Sequence, residues 1–396
     1  MKLNRLSFLF IALVSVVTVR ADLAALFTNA PAARTPLPRR PSIIFIQCHD
    51  LAPGDLSCYG QTNFQTPNLD RLAKDGLRFT HYTGGADSAV TTAQLLAGKI
   101  SAPATGEPSL AQRLQQNGYH TGLIGEWNFD RQPWLHGFDE FAGFLDDAEA
   151  QNYFPEALWR YPHVIYDDNN QVQKVQVEHE AIYPNSGGMH GQYLPDLFTK
   201  AMVNFVKNND PDRANHFRPY FLLVNFPAPR TATIGADDFP VPSDAPFTSE
   251  QWPQAAKNRA ALITRLDDNI GRLFEQLNKS KMSNSVAVFF ASSCAPEKFA
   301  STNLNFLLPK DNFRDAGKIA PQNLPLIVNW PGWVPAGRVS NLPVSALDVA
   351  PTALAIAYAK PVPGLTGISL LPVLEGAKGT NLPAVLERRL GLPQGF

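Results

Sequence analysis

The sequence predicts an α/β fold: a doubly wound, mainly parallel sheet with helices on both faces. Three observations point there. Apolar runs of strand length recur without the alternation of a half-exposed strand, so both faces of each are expected to be covered. Helical patterns fall between these runs, and strands alternating with helices build a mainly parallel sheet. The chain has 396 residues, 44% of them hydrophobic, enough for one large domain with an appendage or for two or three average ones.

At the start, Lys2 and Arg5 precede a run of apolar and weakly polar residues from Leu6 to Val19, and Val19-Arg20-Ala21 supplies a small-residue cleavage site. Residues 1–21 therefore read as a secretory signal peptide. The run falls short of the roughly 20 residues a membrane-spanning helix needs. The mature chain is expected to be exported, secreted or periplasmic, with no membrane span. Residues 22–40 form a Pro/Ala/Arg linker, residues 41–375 the folded domain and residues 376–396 a C-terminal tail. The predicted strands are SIIFIQC from Ser42, HTGLIG from His120, PYFLLVNF from Pro219, VAVFFAS from Val286 and LPLIVNW from Leu324. Helices are predicted in TPNLDRLAKDG, with Pro67 near its first turn and Gly76 past its end, and in PSLAQRLQQNG, closed by Gly118. From about Gln254 to Lys279, Leu262, Leu266, Ile270, Leu273, Phe274 and Leu277 recur at steps of three and four, the stripe of a long helix.

A net charge of −1 and the absence of a basic cluster argue against a nucleic-acid partner. The three cysteines, Cys48, Cys58 and Cys294, cannot all pair within one chain and are expected to be buried free thiols. Ligands of such sheets bind beyond the carboxyl ends of the strands. That rule selects Cys48-His49-Asp50, Ala228-Pro229-Arg230 and Ser292-Ser293-Cys294. A fourth candidate is GGADSAVTTAQLLAGK, in which Ser88 precedes a helical pattern and stands either as a nucleophile or as a helix cap, a role Asp87 could also fill.

Seven stretches, in order from about residue 40 to 375, resemble the sulfatase family of the alkaline-phosphatase-like superfamily. They are RPSIIFIQCHDLAPGDLSCYG, TPNLDRLAKDGLRFTHYT, NYFPEALWR, RPYFLLVNFPAPR, ITRLDDNIGRLFEQL, LPLIVNWPGWVPAGRV and VSALDVAPTALAIA. The resemblance implies the sulfatase fold for residues 41–375. With the chain stopping at Phe396, the small C-terminal subdomain of the family is expected to be reduced or absent. It also implies sulfuric ester hydrolysis by a formylglycine made from a Cys or Ser in the pattern Cys/Ser-x-Pro-x-Arg, beside a calcium ion.

Ser88 occupies the nucleophile position, but Ala89, Val90, Thr91 and Thr92 follow it, so proline and arginine are absent and conversion is not expected. At the family's metal position the residues are His49, Asp50, Ser293 and Cys294, and Asp50 alone matches. Calcium takes six to eight oxygen ligands, so the expected cofactor is none, with neither calcium nor zinc held stoichiometrically. The Gly-Lys-Trp-His segment of the family reads Gly-Glu-Trp-Asn here, placing Glu126 and Asn128 where a lysine and a histidine belong. Arg230 replaces a histidine, and Lys310 matches a family lysine. Either these two cations bind an anion or they neutralise Asp50 and Glu126. His49 is expected to be hydrogen-bonded and partly exposed, and Trp127 to pack.

The expected function is that of an exported, catalytically impaired pseudosulfatase whose partner is a sulfated or acidic glycan. The alternative is a hydrolase: an arylsulfatase-like sulfuric ester hydrolase, or a phosphoric ester hydrolase using an unmodified Ser88, whose Asp87-Ser88-Ala89 context resembles the nucleophile triplet of alkaline phosphatases.

Overall fold

The computed structural model describes residues 40–100, 107–129, 132–166, 171–210, 218–231, 239–296, 307–308 and 323–376. The expected signal peptide, residues 22–39 of the linker, residues 377–396 of the tail, and Lys310 lie outside the described residues. The strands are β1 (Ser42–Cys48), β2 (Leu77–Thr83), β3 (His120–Glu126), β4 (Glu140–Phe144), β5 (Ala157–Tyr166), β6 (Val172–Ala181), β7 (Tyr220–Phe226), β8 (Val286–Ser292), β9 (Leu324–Asn329), β10 (Arg338–Ser340) and β11 (Val344–Ser345). The helices are α1 (Pro67–Lys74), α2 (Ser88–Ala97), α3 (Leu110–Gln116), α4 (Asp147–Ala150), α5 (Leu194–Asn208), α6 (Gln254–Lys279), α7 (Val349–Ile356) and α8 (Leu371–Leu374).

One sheet runs in the order β10-β2-β9-β8-β1-β7-β3-β4-β5-β6, with β11 also paired to β2. Its middle, β8-β1-β7-β3-β4, is parallel throughout. All seven residues of β1, β7 and β8 are buried, which is why these strands read as continuous apolar runs. Along β1 the side chains alternate between two cores. Ile44 and Ile46 join Leu69, Phe198 and Leu266 from α1, α5 and α6, whereas Ile43 and Phe45 join Leu95, Leu114 and Ala353 from α2, α3 and α7. Helices therefore cover both faces, as the sequence predicts.

The flanks add antiparallel pairs to this mainly parallel sheet, although β10 and β11 pair parallel to β2. Strand β9 runs antiparallel to both β8 and β2, and β4, β5 and β6 pair antiparallel, so the sheet is mixed. The β5–β6 pair ends one edge and β6 is largely exposed, so it lacks the apolar signal of the middle strands. Pro162 interrupts β5 where the register to β6 shifts, a place that tolerates a residue with no N–H. Among the described residues no helix is long and apolar enough to cross a membrane.

Candidate functional site

Three neighbouring parallel strands deliver the candidate residues to one end of the sheet. Cys48, at the end of β1, lies opposite both Phe226 of β7 and Ser292 of β8. The turn after β1 is fixed from two sides. The Ser293 N–H and hydroxyl both donate to the Cys48 carbonyl, at 2.8 and 3.1 Å. Asp50 adopts a left-handed backbone (φ 58°), uncommon for a residue with a side chain though better tolerated by Asp than by most. Arg259 of α6 holds it there, donating from one terminal nitrogen to the Asp50 carbonyl at 2.8 Å and from the other to the Pro229 carbonyl at 3.0 Å. The same guanidinium pairs with Asp55 at 2.7 and 3.0 Å, with both side chains fully buried. One buried arginine thus ties the turn after β1 to the loop after β7.

His49, Asp50 and Cys294 meet in this turn. The Cys294 thiol donates to Asp50 Oδ1 at 3.2 Å and lies 3.6 Å from His49 Nδ1, and His49 Nδ1 is 3.2 Å from the same carboxylate. All three are buried. His49, expected to be partly exposed, is only 7% exposed, because the strand ends of β1 and β8 turn into the same layer. Burial pulls the imidazole pKa down, but the neighbouring Cys294 and Asp50 more than offset this and raise it well above its ordinary value. These donors do not fit calcium. One carboxylate, one imidazole and one thiol replace a set of oxygens, and the Ser293 hydroxyl already serves the Cys48 carbonyl.

Ser88 is the first residue of α2, and the cap is its neighbour: the Asp87 carboxylate accepts from the Val90 N–H at 2.8 Å. Of the two capping candidates in the sequence, Ser88 and Asp87, the role belongs to Asp87, whose extended backbone just before the helix suits it. Among the described residues no side chain bonds the Ser88 hydroxyl as a base would. Thr92, which stands where the family carries arginine, is turned inward. Its hydroxyl donates to the Ser88 carbonyl at 2.9 Å and accepts from Gln47 Nε2 at 2.8 Å. Thr91 anchors the helix start to the turn after β8 by donating to the Ser293 carbonyl at 2.6 Å. Gly84 permits that approach, since a Cβ there would stand 2.3 Å from the same carbonyl oxygen.

A second cluster forms after β3 and β7. The Glu126 carboxylate is 5% exposed, accepts from Asn128 Nδ2 and lies 3.5 Å from Arg230. Burial pushes its pKa up, against the lowering effect of His49 and Arg230. The fork of Arg230 closes on Asp147 at the start of α4, with two bonds of 2.8 Å. That bidentate contact holds the Asp147 carboxyl well below the usual carboxylate range. Of the two carboxylates the sequence sets against Arg230, Glu126 lies beside it and Asp50 still acts on it electrostatically, while its direct bidentate hydrogen bonds go to Asp147. Trp127 is buried and packs edge-on against Phe129 and Phe138. Gln47 and Asn225 stand in register across β1 and β7, and each keeps a buried side-chain oxygen with no partner among the described residues. Of the three thiols, Cys48 and Cys294 are buried and free, as expected, while Cys58 is free but only half-buried.

The sequence reading missed Asp147 and Arg259. A signal existed for each. Asp146-Asp147 follows the carboxyl end of β4 in FLDDAEA, where the strand-end rule applies. Arg259 falls in the buried stripe with Leu262, Leu266 and Ile270, where an arginine needs a partner.

A sulfatase family model matches residues 41–359. N-acetylgalactosamine-6-sulfatase of Canis lupus familiaris is 26% identical over 87% of this chain and 68% of its own length; that of Homo sapiens is 27% identical over 85% and 66%. An arylsulfatase of Hemicentrotus pulcherrimus is 24% identical over 86% of this chain and 62% of its own. The chain spans about two thirds of the length of these curated relatives. The structure of Ps i-CgsB in complex with k-i-k-neocarrahexaose superposes with a TM-score of 0.65 at 25% identity, covering 85% of this chain and 76% of that one. A structure solved with its substrate D-glucosamine-2-N,6-O-disulfate shares the fold, with a TM-score of 0.62 at 22% identity over 85% and 81%. With the strand-end turns, the mixed sheet and this match over most of its length, the chain belongs to the sulfatase family.

Proposed function

We propose that the chain is an exported sulfatase-family protein that no longer hydrolyses sulfate esters by the family route and whose cleft binds a sulfated or acidic glycan. The observation that carries the first half is at Ser88. No proline or arginine follows it in the modification pattern, and no base touches its hydroxyl among the described residues. Support for the glycan comes from the relatives, whose names and bound sugars are those of sulfated carbohydrates.

Arg230 is the group that would meet the anion. Its fork already holds two carboxylate oxygens of Asp147, the same spacing of acceptors a sulfate presents. Asp147 is half-exposed and can swing away, so binding is an exchange of one anion for another. With the Arg230 side chain 15% and Asp147 50% exposed, the pair is partly screened and worth on the order of 1 kcal/mol, a modest obstacle. Lys310, the second cation of the proposal, lies outside the described residues. Calorimetry with sulfated oligosaccharides tests the reading. Asp147→Asn should tighten binding a few-fold, about the worth of the pair it removes, and Arg230→Ala should weaken it. Unchanged affinity in both variants would leave the cleft without a role in binding.

The Asp87-Ser88-Ala89 triplet favours one other reading, a Ser-dependent ester hydrolase. It requires a group that activates the hydroxyl, so activity lost in Ser88→Ala at unchanged stability would select it.

A further inference from the structure

We propose that His49, Asp50 and Cys294 form a site for a borderline cation of the zinc type, in place of a calcium site at the same strand ends. The three donor atoms make a triangle with sides of 3.2, 3.2 and 3.6 Å. An ion bound tetrahedrally with bonds of about 2.0–2.3 Å separates its donors by about 3.3–3.8 Å, so the trio is close to the spacing such an ion imposes. Nitrogen, sulfur and a single carboxylate suit zinc or another borderline ion, whereas calcium requires six to eight oxygens. The expectation of no zinc discounted the turn after β8; the fold brings its Cys294 thiol against both His49 and Asp50.

A second observation is independent of the donor set. The donors sit on two turns that the fold ties together: Ser293 to Cys48 through two hydrogen bonds, and Leu51 N–H to Ser292 Oγ at 3.3 Å. Asp50 is kept in its left-handed conformation by the buried Arg259, and an unusual backbone held from outside marks a place where side-chain direction matters. Binding would place the Cys294 thiolate, the neutral His49 Nδ1 and one Asp50 oxygen on the ion, with the thiol proton and the extra proton of the His49 imidazolium both released to solvent. A fourth position remains for an oxygen from outside the trio, the arrangement of a site open to a ligand. The inference does not depend on the glycan reading.

Cobalt(II) titration of the chelator-treated full chain decides it. The expected result is one ion per chain with a thiolate-to-metal charge-transfer band, displaced by equimolar zinc and unaffected by a thousandfold excess of calcium. Cys294→Ser should abolish the band, Cys58→Ser should retain it, and His49→Gln should weaken cobalt affinity at least tenfold. Absence of the band from the wild-type chain, its persistence in Cys294→Ser, or displacement by calcium as readily as by zinc would overturn the proposal. If Cys294→Ser does not fold, the wild-type band and the His49→Gln affinity decide on their own.

Discussion

Asp87 and Ser88 divide roles that the sequence alone leaves joined. Asp87 holds the Val90 N–H and so carries the energy of the cap, while the Ser88 side chain supports nothing among the described residues. Asp87→Ala should therefore cost about 1 kcal/mol in denaturant unfolding, and Ser88→Ala should stay within about 0.5 kcal/mol of wild type. Equal losses in the two variants would place the cap on both. The residue scale also shows what the sequence could not supply. Arg230 and Glu126 are legible as cleft positions because they follow strand ends, but Asp147 is 83 residues from Arg230, and no local pattern pairs them. Likewise, the one-residue offset between a capping and a nucleophilic position depends on where α2 starts, which is uncertain by more than one residue in any reading of a sequence.

At the scale of elements, two polar links hold parts of the fold that apolar packing leaves unspecified. Arg259 joins α6 to the turn after β1 and the loop after β7 through Asp55 and two carbonyls. Removing one member of a buried pair strands the other charge, so Arg259→Ala should cost about 3–5 kcal/mol, whereas Arg259→Met together with Asp55→Leu should recover only the part due to the stranded charge, since the Asp50 and Pro229 carbonyls and the Ala52 N–H still lose their partners. Chemical unfolding of the two variants beside the wild type checks this. The second link is His120, at the start of β3, between Asp139 just ahead of β4 and Glu140, its first residue. Burial lowers its pKa, but the hydrogen bonds to both carboxylates outweigh that and raise it to about 9. The folded value lies above the unfolded one, near 6.5, so its contribution is complete below about pH 6.5 and is lost as pH rises through about 9. Over that window the wild type should lose stability relative to His120→Gln, on the order of 1 kcal/mol after allowing for solvent screening of half-exposed partners. A stability difference that stays flat from pH 6 to 9.5 would contradict the assignment.

For the whole molecule, the middle of the sheet is readable from sequence because β1, β7 and β8 are buried on both faces and so carry unbroken apolar runs. The flanking strands are not. Strands β5 and β6 form an edge whose partly solvated residues show no such run, and the direction of β9 depends on a connection rather than on its own composition. The same division holds at the site, where strand-end positions are legible and the long-range contacts that set their chemistry are not. His49, Asp50 and Cys294 converge only because β1 and β8 are neighbours, although nearly 250 residues separate their ends in the chain. The account's central claim is that this family member has lost sulfate-ester hydrolysis by the family route. The most direct measurement is aryl-sulfate turnover by the full chain, after expression with a formylglycine-generating enzyme, beside its Ser88→Ala variant. The account predicts background rates that are equal in the two proteins. Turnover above background that disappears in a folded Ser88→Ala protein would contradict it.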